Sequence, residues 1–187
     1  VLEDMAGKIP LVLDGGETGV GLESTVLDLT TDPPTILRPG GVTLEQLREC
    51  IGSVAVSGAV DGDPVVGAPR SPNMKYRHYA PKARLLVVNG QVLPMQEKIR
   101  ALCEEFQEEG KRVGIMCSVE SRGVYRAEVV LEYGSRGNLA SIASDLFSAL
   151  RAFDRHGVDV ILAEGVPTDG LGLAIMNRLR RAAGGRV

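Results

Sequence analysis

The hydrophobic pattern divides the chain into a first part of short strand-like runs and a second part in which strands and helices alternate. The first part contains LVLDGG, GLESTVLDL and PTILRPGG, aliphatic runs separated by Gly, Pro and Asp. Such runs predict strands joined by tight turns. A helix is predicted from Thr43, because TLEQ has the spacing of a capping box and apolar residues then recur at helical intervals. We expect this part to end at residue 56.

The second part, residues 84–187, has the composition of an α/β domain. ARLLVV, RVGIMCS, AEVVLEY and VDVILAEG are typical of buried strands. Helices are predicted over residues 91–109, ended by Gly110, over NLASIASDLFSALRAFD, and over GLAIMNRLRRAA. Alternation of this kind implies a mostly parallel sheet covered by helices, so we predict a small Rossmann-like domain of the α/β class.

Residues 57–83 between the two parts are predicted to form a linker. The run SGAVDGDPVVGAPRSPN is made of Gly, Pro, Asp and small residues and has neither helical nor strand periodicity. Connections of this length are usually functional or disordered. The end of the linker, SPNMKYRHYAP, combines two prolines, two tyrosines and three basic-type residues including His78. We therefore expect this segment to have a function.

Composition and charge exclude several classes of function. The chain has 24 acidic and 21 basic residues, a formal charge of -3, so no direct nucleic-acid binding is expected. Its three cysteines are far apart in sequence and form no CxxC, which predicts neither a metal site nor a disulfide framework. No apolar run approaches the roughly 20 residues of a membrane span. These features predict a protein of the cytoplasm with no membrane partner.

Three polar side chains of the first part are candidates for substrate contacts. Ser24 and Thr25 follow the Gly-rich turn GGETGVG, where hydroxyls could donate to carboxylate, carbamate or phosphate oxygens, or could instead satisfy the turn backbone. Arg38 precedes a Pro-Gly turn and could bind phosphate through two N–H groups, or could be an ordinary exposed arginine. The residues alone leave both alternatives open.

Two other features have a structural interpretation. GLGLAIMNRL places a Gly-rich turn and a helix N-terminus after a strand, which can bind anions, but without a third glycine we favour a structural role. His156 ends a predicted helix, where the helix dipole accounts for it. His78 is different, because no helix or strand surrounds it.

Six stretches, in order, closely resemble the two-domain form of the threonylcarbamoyl-AMP synthase family: GLESTVLDL, ILRPGG, SPNMKYRHYAPKA, SDLFSALRAFD, VILAEG and GLGLAIMNRL. The resemblance covers nearly the whole chain. It implies that residues 1–56 are the C-terminal part of a YrdC-like α/β catalytic domain, residues 57–83 a linker, and residues 84–187 a Rossmann-like accessory domain.

The resemblance also implies a reaction. The family converts L-threonine, bicarbonate and ATP to L-threonylcarbamoyl-adenylate and pyrophosphate, and Mg²⁺ is expected with the ATP. The product serves a downstream threonylcarbamoyl transferase complex that modifies an adenosine in tRNA. No residue of this chain is assigned a direct catalytic role.

Carried over residue by residue, the resemblance places Ser24 against threonine, with Thr25 in the same wall, and Arg38 against the nucleotide phosphates. The linker is expected to close over the cavity as a lid, with His78 and Tyr79 near the nucleotide. A lid suits a mixed anhydride that water would hydrolyse.

The family's early K-x-R motif and its S-x-N motif, which bind ATP and threonine, have no counterpart ahead of GLESTVLDL. We therefore expect this chain to be the C-terminal part of the enzyme and to be inactive alone. The alternative is a non-catalytic regulatory module that binds a nucleotide or a protein partner.

Overall fold

The computed structural model describes residues 5–16, 18–61 and 80–184, which contain two separate sheets. The first sheet and its helices consist of β1 (Val26–Asp28), β2 (Thr35–Arg38), α1 (Leu44–Ile51), β3 (Ala55–Val56) and α2 (Gly58–Asp61). The second sheet and its helices consist of β4 (Arg84–Val88), α3 (Val92–Glu108), β5 (Val113–Cys117), a 3-10 helix (Val119–Val124), β6 (Val129–Glu132), α4 (Leu139–His156), β7 (Val160–Glu164) and α5 (Gly172–Ala182).

The first sheet is small and mixed. Its order is β1-β2-β3, with β1 antiparallel and β3 parallel to β2. The central strand β2 carries the buried Ile36 and Leu37, and Val54 and Val60 are buried beside it. Among the described residues, these four buried aliphatic side chains make a very small core, because the sheet has one short central strand.

The second sheet is parallel throughout, in the order β4-β7-β5-β6. Its strands alternate their side chains between two apolar layers, as the period of two requires. Along β7, for example, Ile161 and Ala163 face the layer that contains α4 and α5, whereas Val160 and Leu162 face the layer that contains α3. The second part is thus a three-layer, Rossmann-like α/β domain, and the predicted fold class is confirmed.

Several predicted helix ends are confirmed. Thr43 and Gln46 form the reciprocal hydrogen bonds of a capping box at the start of α1. Gly110 follows α3 with φ of 74°, and Gly157 follows α4 with φ of 61°, a left-handed conformation that glycine adopts without a steric cost. His156 is the last residue of α4, as expected.

Two local predictions differ from the structure. The predicted strand at LVLDGG is wrong: residues 11–16 lie in neither a strand nor a helix, and Leu11 and Leu13 are 69% and 86% exposed. A strand needs a partner for its backbone groups, and no described strand pairs with this run. Helix α2, at the start of the predicted linker, was not anticipated; its Val60 is buried, and the Val60 carbonyl oxygen accepts a hydrogen bond from Asn177 of α5.

Within the described residues, no helix is long and apolar enough to cross a membrane.

Candidate functional site

Ser24 and Arg38, two of the predicted site residues, lie in direct contact. Ser24 precedes β1 and Arg38 ends β2, and these strands pair with a register shift between Val26 and Leu27. The Arg38 guanidinium donates to the Ser24 carbonyl oxygen from Nε (3.1 Å) and Nη2 (2.9 Å), and Nη2 also lies 3.3 Å from Ser24 Oγ. Their positions in the sequence do not indicate that these two residues are in contact.

Thr25 is tied to the turn that follows β2. Its hydroxyl donates to the carbonyl oxygen of Val42 at 2.6 Å. This bond fixes the position of the hydroxyl and leaves its oxygen able to accept a hydrogen bond. Thr25 therefore fits the backbone-satisfying alternative without losing the ability to line a site.

Gly40 allows the turn after Arg38 to press against the Ser24 backbone. A Cβ at residue 40 would lie 2.2 Å from the Glu23 carbonyl oxygen and 2.4 Å from the Thr25 nitrogen. Only glycine permits this approach, so RPGG and LEST form one tightly packed wall.

An ion pair joins this wall to the second part of the chain. Arg178 of α5 donates from Nε to Glu23 Oε2 at 2.7 Å. Burial tends to raise the pKa of the Glu23 carboxyl, but the hydrogen bond and charge of Arg178 outweigh it and hold that pKa below its ordinary value. Neither Glu23 nor Arg178 was predicted from the sequence to have a role.

The remaining donors of Arg178 extend the contact. Nη2 donates to the carbonyl oxygen of Pro39 at 3.0 Å, and Nη1 donates to Oδ1 of Asn177 at 2.8 Å. Asn177 in turn donates to the carbonyl oxygen of Val60 at 2.9 Å. The MNRL part of GLGLAIMNRL thus holds the first part, which agrees with the structural role we favoured for this motif.

A second close approach lies next to α4. Gly21 has φ of 70°, and a Cβ on it would lie 2.5 Å from Ser144 Cα. The adjacent Leu22 packs against the apolar cluster of α4 and α5. The segment that leads into Ser24 is therefore packed against α4 and α5.

The second part has a polar cluster of its own, centred on the fully buried Glu164 at the end of β7. Its carboxylate accepts from the Tyr125 hydroxyl at 2.7 Å and the Ser118 backbone at 3.0 Å, and Arg136 Nη2 lies 3.4 Å away. Burial and the bond to Glu164 raise the pKa of the Tyr125 phenol. Through these hydrogen bonds, Glu164 at the carboxyl end of β7 is connected to Ser118, Tyr125 and Arg136. Glu164, a charged residue at the end of the apolar run VILAE, is the feature of the sequence that could have indicated this cluster.

His78 and Tyr79 lie outside the described residues, as does most of SPNMKYRHYAP. In the part of the chain that the structure describes, no group of three or more His, Cys, Asp or Glu side chains could hold a metal ion.

The fold and the wall formed by LEST and RPGG define a class of α/β protein. In this class, a segment with a small mixed sheet packs on helices of a Rossmann-like domain. Comparison with known families identifies it further. The family described as "Threonylcarbamoyl-AMP synthase, C-terminal domain" matches residues 42–184, and the family described as "Telomere recombination" matches residues 1–40. The chain belongs to the threonylcarbamoyl-AMP synthase C-terminal domain family, which confirms the resemblance seen in the sequence.

Individual relatives agree. The chain is 51% identical to threonylcarbamoyl-AMP synthase of Pyrococcus abyssi (strain GE5 / Orsay), over 100% of this chain and 53% of the relative. It is 46% identical to the Bacillus subtilis (strain 168) synthase, over 100% of this chain and 52% of that relative. The crystal structure of P. abyssi Sua5 complexed with L-threonine superposes with a TM-score of 0.89 and 51% identity, covering 99% of this chain and 52% of the other. The chain spans about half the length of these relatives.

Proposed function

We propose that this chain acts as the C-terminal half of a threonylcarbamoyl-AMP synthase, a nucleotidyltransferase that makes L-threonylcarbamoyl-adenylate and pyrophosphate from L-threonine, bicarbonate and ATP. The observation that carries the proposal is the agreement, over 99% of the chain, with a Sua5 structure complexed with L-threonine. The contact between Ser24 and Arg38 supports it, because it puts a hydroxyl and a guanidinium on one wall.

Ser24 and Thr25 contact the threonine substrate in this proposal. Ser24 is exposed, and its backbone is fixed by Arg38. Thr25 is fixed by its bond to Val42. Two hydroxyls held by neighbouring backbone groups present a small polar surface whose geometry is set before the substrate arrives, which lowers the entropic cost of binding.

Arg38 contacts the phosphates of ATP. Its bonds to Ser24 use Nε and Nη2, and no described residue accepts a hydrogen bond from Nη1. The two Nη1 hydrogens could therefore meet phosphate oxygens while the rest of the side chain keeps its contact with Ser24. One side chain would then link the threonine and nucleotide subsites.

His78 and Tyr79 complete the nucleotide subsite as part of a lid formed by SPNMKYRHYAP. A lid would keep water from a mixed anhydride that hydrolyses readily. In the complete synthase, we expect His78→Ala combined with Tyr79→Ala to lower the adenylate yield per pyrophosphate released. An unchanged ratio would contradict the lid.

Mg²⁺ enters with ATP in this proposal, because proteins usually bind this ion through substrate phosphates and one or two carboxylates. The described residues offer no cluster that would hold it by themselves. We place the protein in the cytoplasm, where its product would pass to a downstream transferase complex that modifies tRNA.

The test is formation of the adenylate by the complete synthase that contains this chain. With L-threonine, bicarbonate, Mg²⁺ and ATP, we expect pyrophosphate and a threonylcarbamoyl-adenylate mass, both lost when threonine or bicarbonate is omitted. The 187-residue chain alone is expected to be inactive, because the family's early K-x-R and S-x-N motifs have no counterpart ahead of GLESTVLDL. Nucleotide binding by the complete protein without adenylate would support a regulatory module instead.

A further inference from the structure

Arg178 contacts the two strand ends that carry the proposed site, although it belongs to the other part of the chain. It bonds to Glu23, the residue before Ser24, and to the carbonyl oxygen of Pro39, the residue after Arg38. Arg38 in turn bonds to Ser24. The four residues and Arg178 form a closed ring of covalent links and hydrogen bonds.

The bonds that Arg178 makes in this ring are sheltered from water. The Arg178 side chain is 6% exposed and that of Glu23 is 23% exposed, so the ion pair is only weakly screened by solvent. Each of the three guanidinium nitrogens has a different acceptor: Glu23, Asn177 and Pro39. A planar group with fixed donors can satisfy all three at once, whereas a lysine ammonium on a flexible stem cannot reproduce the same geometry.

From this ring we infer that Arg178 is a positioning residue for the synthase reaction: together with the direct Arg38–Ser24 bonds, it holds Ser24 and Arg38 at the separation that the threonine and ATP subsites need. Arg178 touches neither substrate in this account. The inference rests on the proposed function, and it gives helix α5 of the accessory domain a role in substrate affinity.

A purely structural role would look different. Arg178 would then contribute to folding, and its loss would lower the melting temperature without changing the kinetics of molecules that remain folded. A positioning role predicts altered kinetics well below the melting temperature, because displacing reacting groups by about 1 Å can cost about a hundredfold in rate.

The experiment compares Arg178→Ala, Arg178→Lys and Glu23→Gln in the complete synthase at a temperature where all are folded. Arg151→Ala is the matched control, since Arg151 is an exposed arginine on α4. We expect Arg178→Ala to lower kcat/KM for threonine by about ten- to a hundredfold. Arg178→Lys and Glu23→Gln should fall between it and the wild type, and Arg151→Ala should match the wild type.

Hydrogen exchange of the same variants supplies a readout that does not need activity. In the 187-residue chain, Arg178→Ala should speed exchange over residues 22–41 and leave the strands of the second sheet unchanged. If the wild-type synthase makes no adenylate, the proposed function fails. Hydrogen exchange over residues 22–41 then still shows whether the Arg178 bonds hold this segment in place.

Two results would overturn the inference. The first is a lower melting temperature for Arg178→Ala with an unchanged kcat/KM for both substrates. The second is a kcat/KM for Arg178→Lys equal to that of the wild type. A positive charge without the planar guanidinium and its fixed donors would then be enough to support the reaction. Should Arg178→Ala fail to fold, Glu23→Gln decides, since it keeps the size of the side chain and removes only its charge.

Discussion

The two parts of the chain differ in how much of their structure they support by themselves. The second part has two apolar layers around a four-stranded parallel sheet. The described residues of the first part include four buried aliphatic side chains, and they leave Leu11, Leu13 and Leu29 largely exposed to solvent, at 69%, 86% and 71%. Its site wall is held by α4 and α5 of the second part.

This difference suggests that one part of the chain supports the structure and the other carries the candidate site residues. A self-contained domain with a dense core can serve as a rigid support, and residues that bind substrates are often carried by loops on such a support. Here the support would be the second part of the chain, and the carried element would be the wall formed by LEST and RPGG, which includes Ser24, Thr25 and Arg38. The predictions below test whether the two parts differ in this way.

The largest effect is expected when the parts are separated. Residues 80–184 should fold alone and unfold in one cooperative transition, because they contain a complete sheet and both covering layers. Residues 1–61 alone should show no cooperative transition, since their core is too small. Circular dichroism during heating distinguishes these cases. A broad, non-cooperative melt of residues 80–184 would contradict the account.

The next largest effect is expected from a substitution that creates a cavity in the core of the second part, which should lower its free energy of unfolding. Phe153 is 1% exposed, and its ring fills the space above Gly114. We expect Phe153→Ala to lower the free energy of unfolding by about 3–5 kcal/mol. Leu93→Ala, at a 71% exposed position on α3, is the control and should change it by less than about 0.5 kcal/mol. Denaturant titration of residues 80–184 measures both, and similar losses for the two would contradict a dense core.

A smaller and more local effect is expected from a change in the wall. Gly40→Ala places a Cβ against the Glu23 and Thr25 backbone, so it should displace Ser24 and reduce adenylate synthesis by the complete enzyme by about tenfold or more. The stability of the second part should not change. Gly19→Ala, where nothing lies within 4 Å of the added carbon, provides the matched control. Equal activity of both variants would show that the tight turn does not shape the site.

The smallest effect concerns pH. Because the folded-state pKa of Glu23 is lowered, its ion pair stabilises the chain above the ordinary carboxyl pKa. That contribution is lost as the pH falls through the lowered value. Denaturant unfolding of the 187-residue chain and of Glu23→Gln should therefore differ at pH 6 and converge as the pH falls below the ordinary carboxyl pKa. A difference that persists unchanged at low pH would exclude the carboxylate charge as its source.

The sequence predicted the second domain well because its signals are local. The apolar runs of strands and the apolar faces of helices such as α4 can each be recognised within about 20 residues. The helix ends at Gly110 and Gly157 follow from local backbone geometry. LVLDGG failed for the opposite reason: strand-like composition does not supply a neighbouring strand, and pairing is a non-local property.

The contacts among the candidate site residues were not predicted from the sequence. Ser24, Thr25 and Arg38 were named, but their separations in sequence do not reveal that Arg38 bonds to Ser24. The bond between Arg178 and Glu23 spans 155 residues, so nothing in the local pattern around either residue could indicate it. Their pairing is a consequence of how the two parts dock.

The most direct test of the central claim is the kinetics of Arg38→Ala in the complete synthase. If Arg38 joins the two subsites and contacts ATP phosphates, this change should lower kcat/KM for ATP by about ten- to a hundredfold, the loss of a charge-assisted contact of about 1.5–3 kcal/mol. The effect on threonine should be smaller. An unchanged kcat/KM for ATP would show that Arg38 is only a structural partner of Ser24 and would contradict the proposed site.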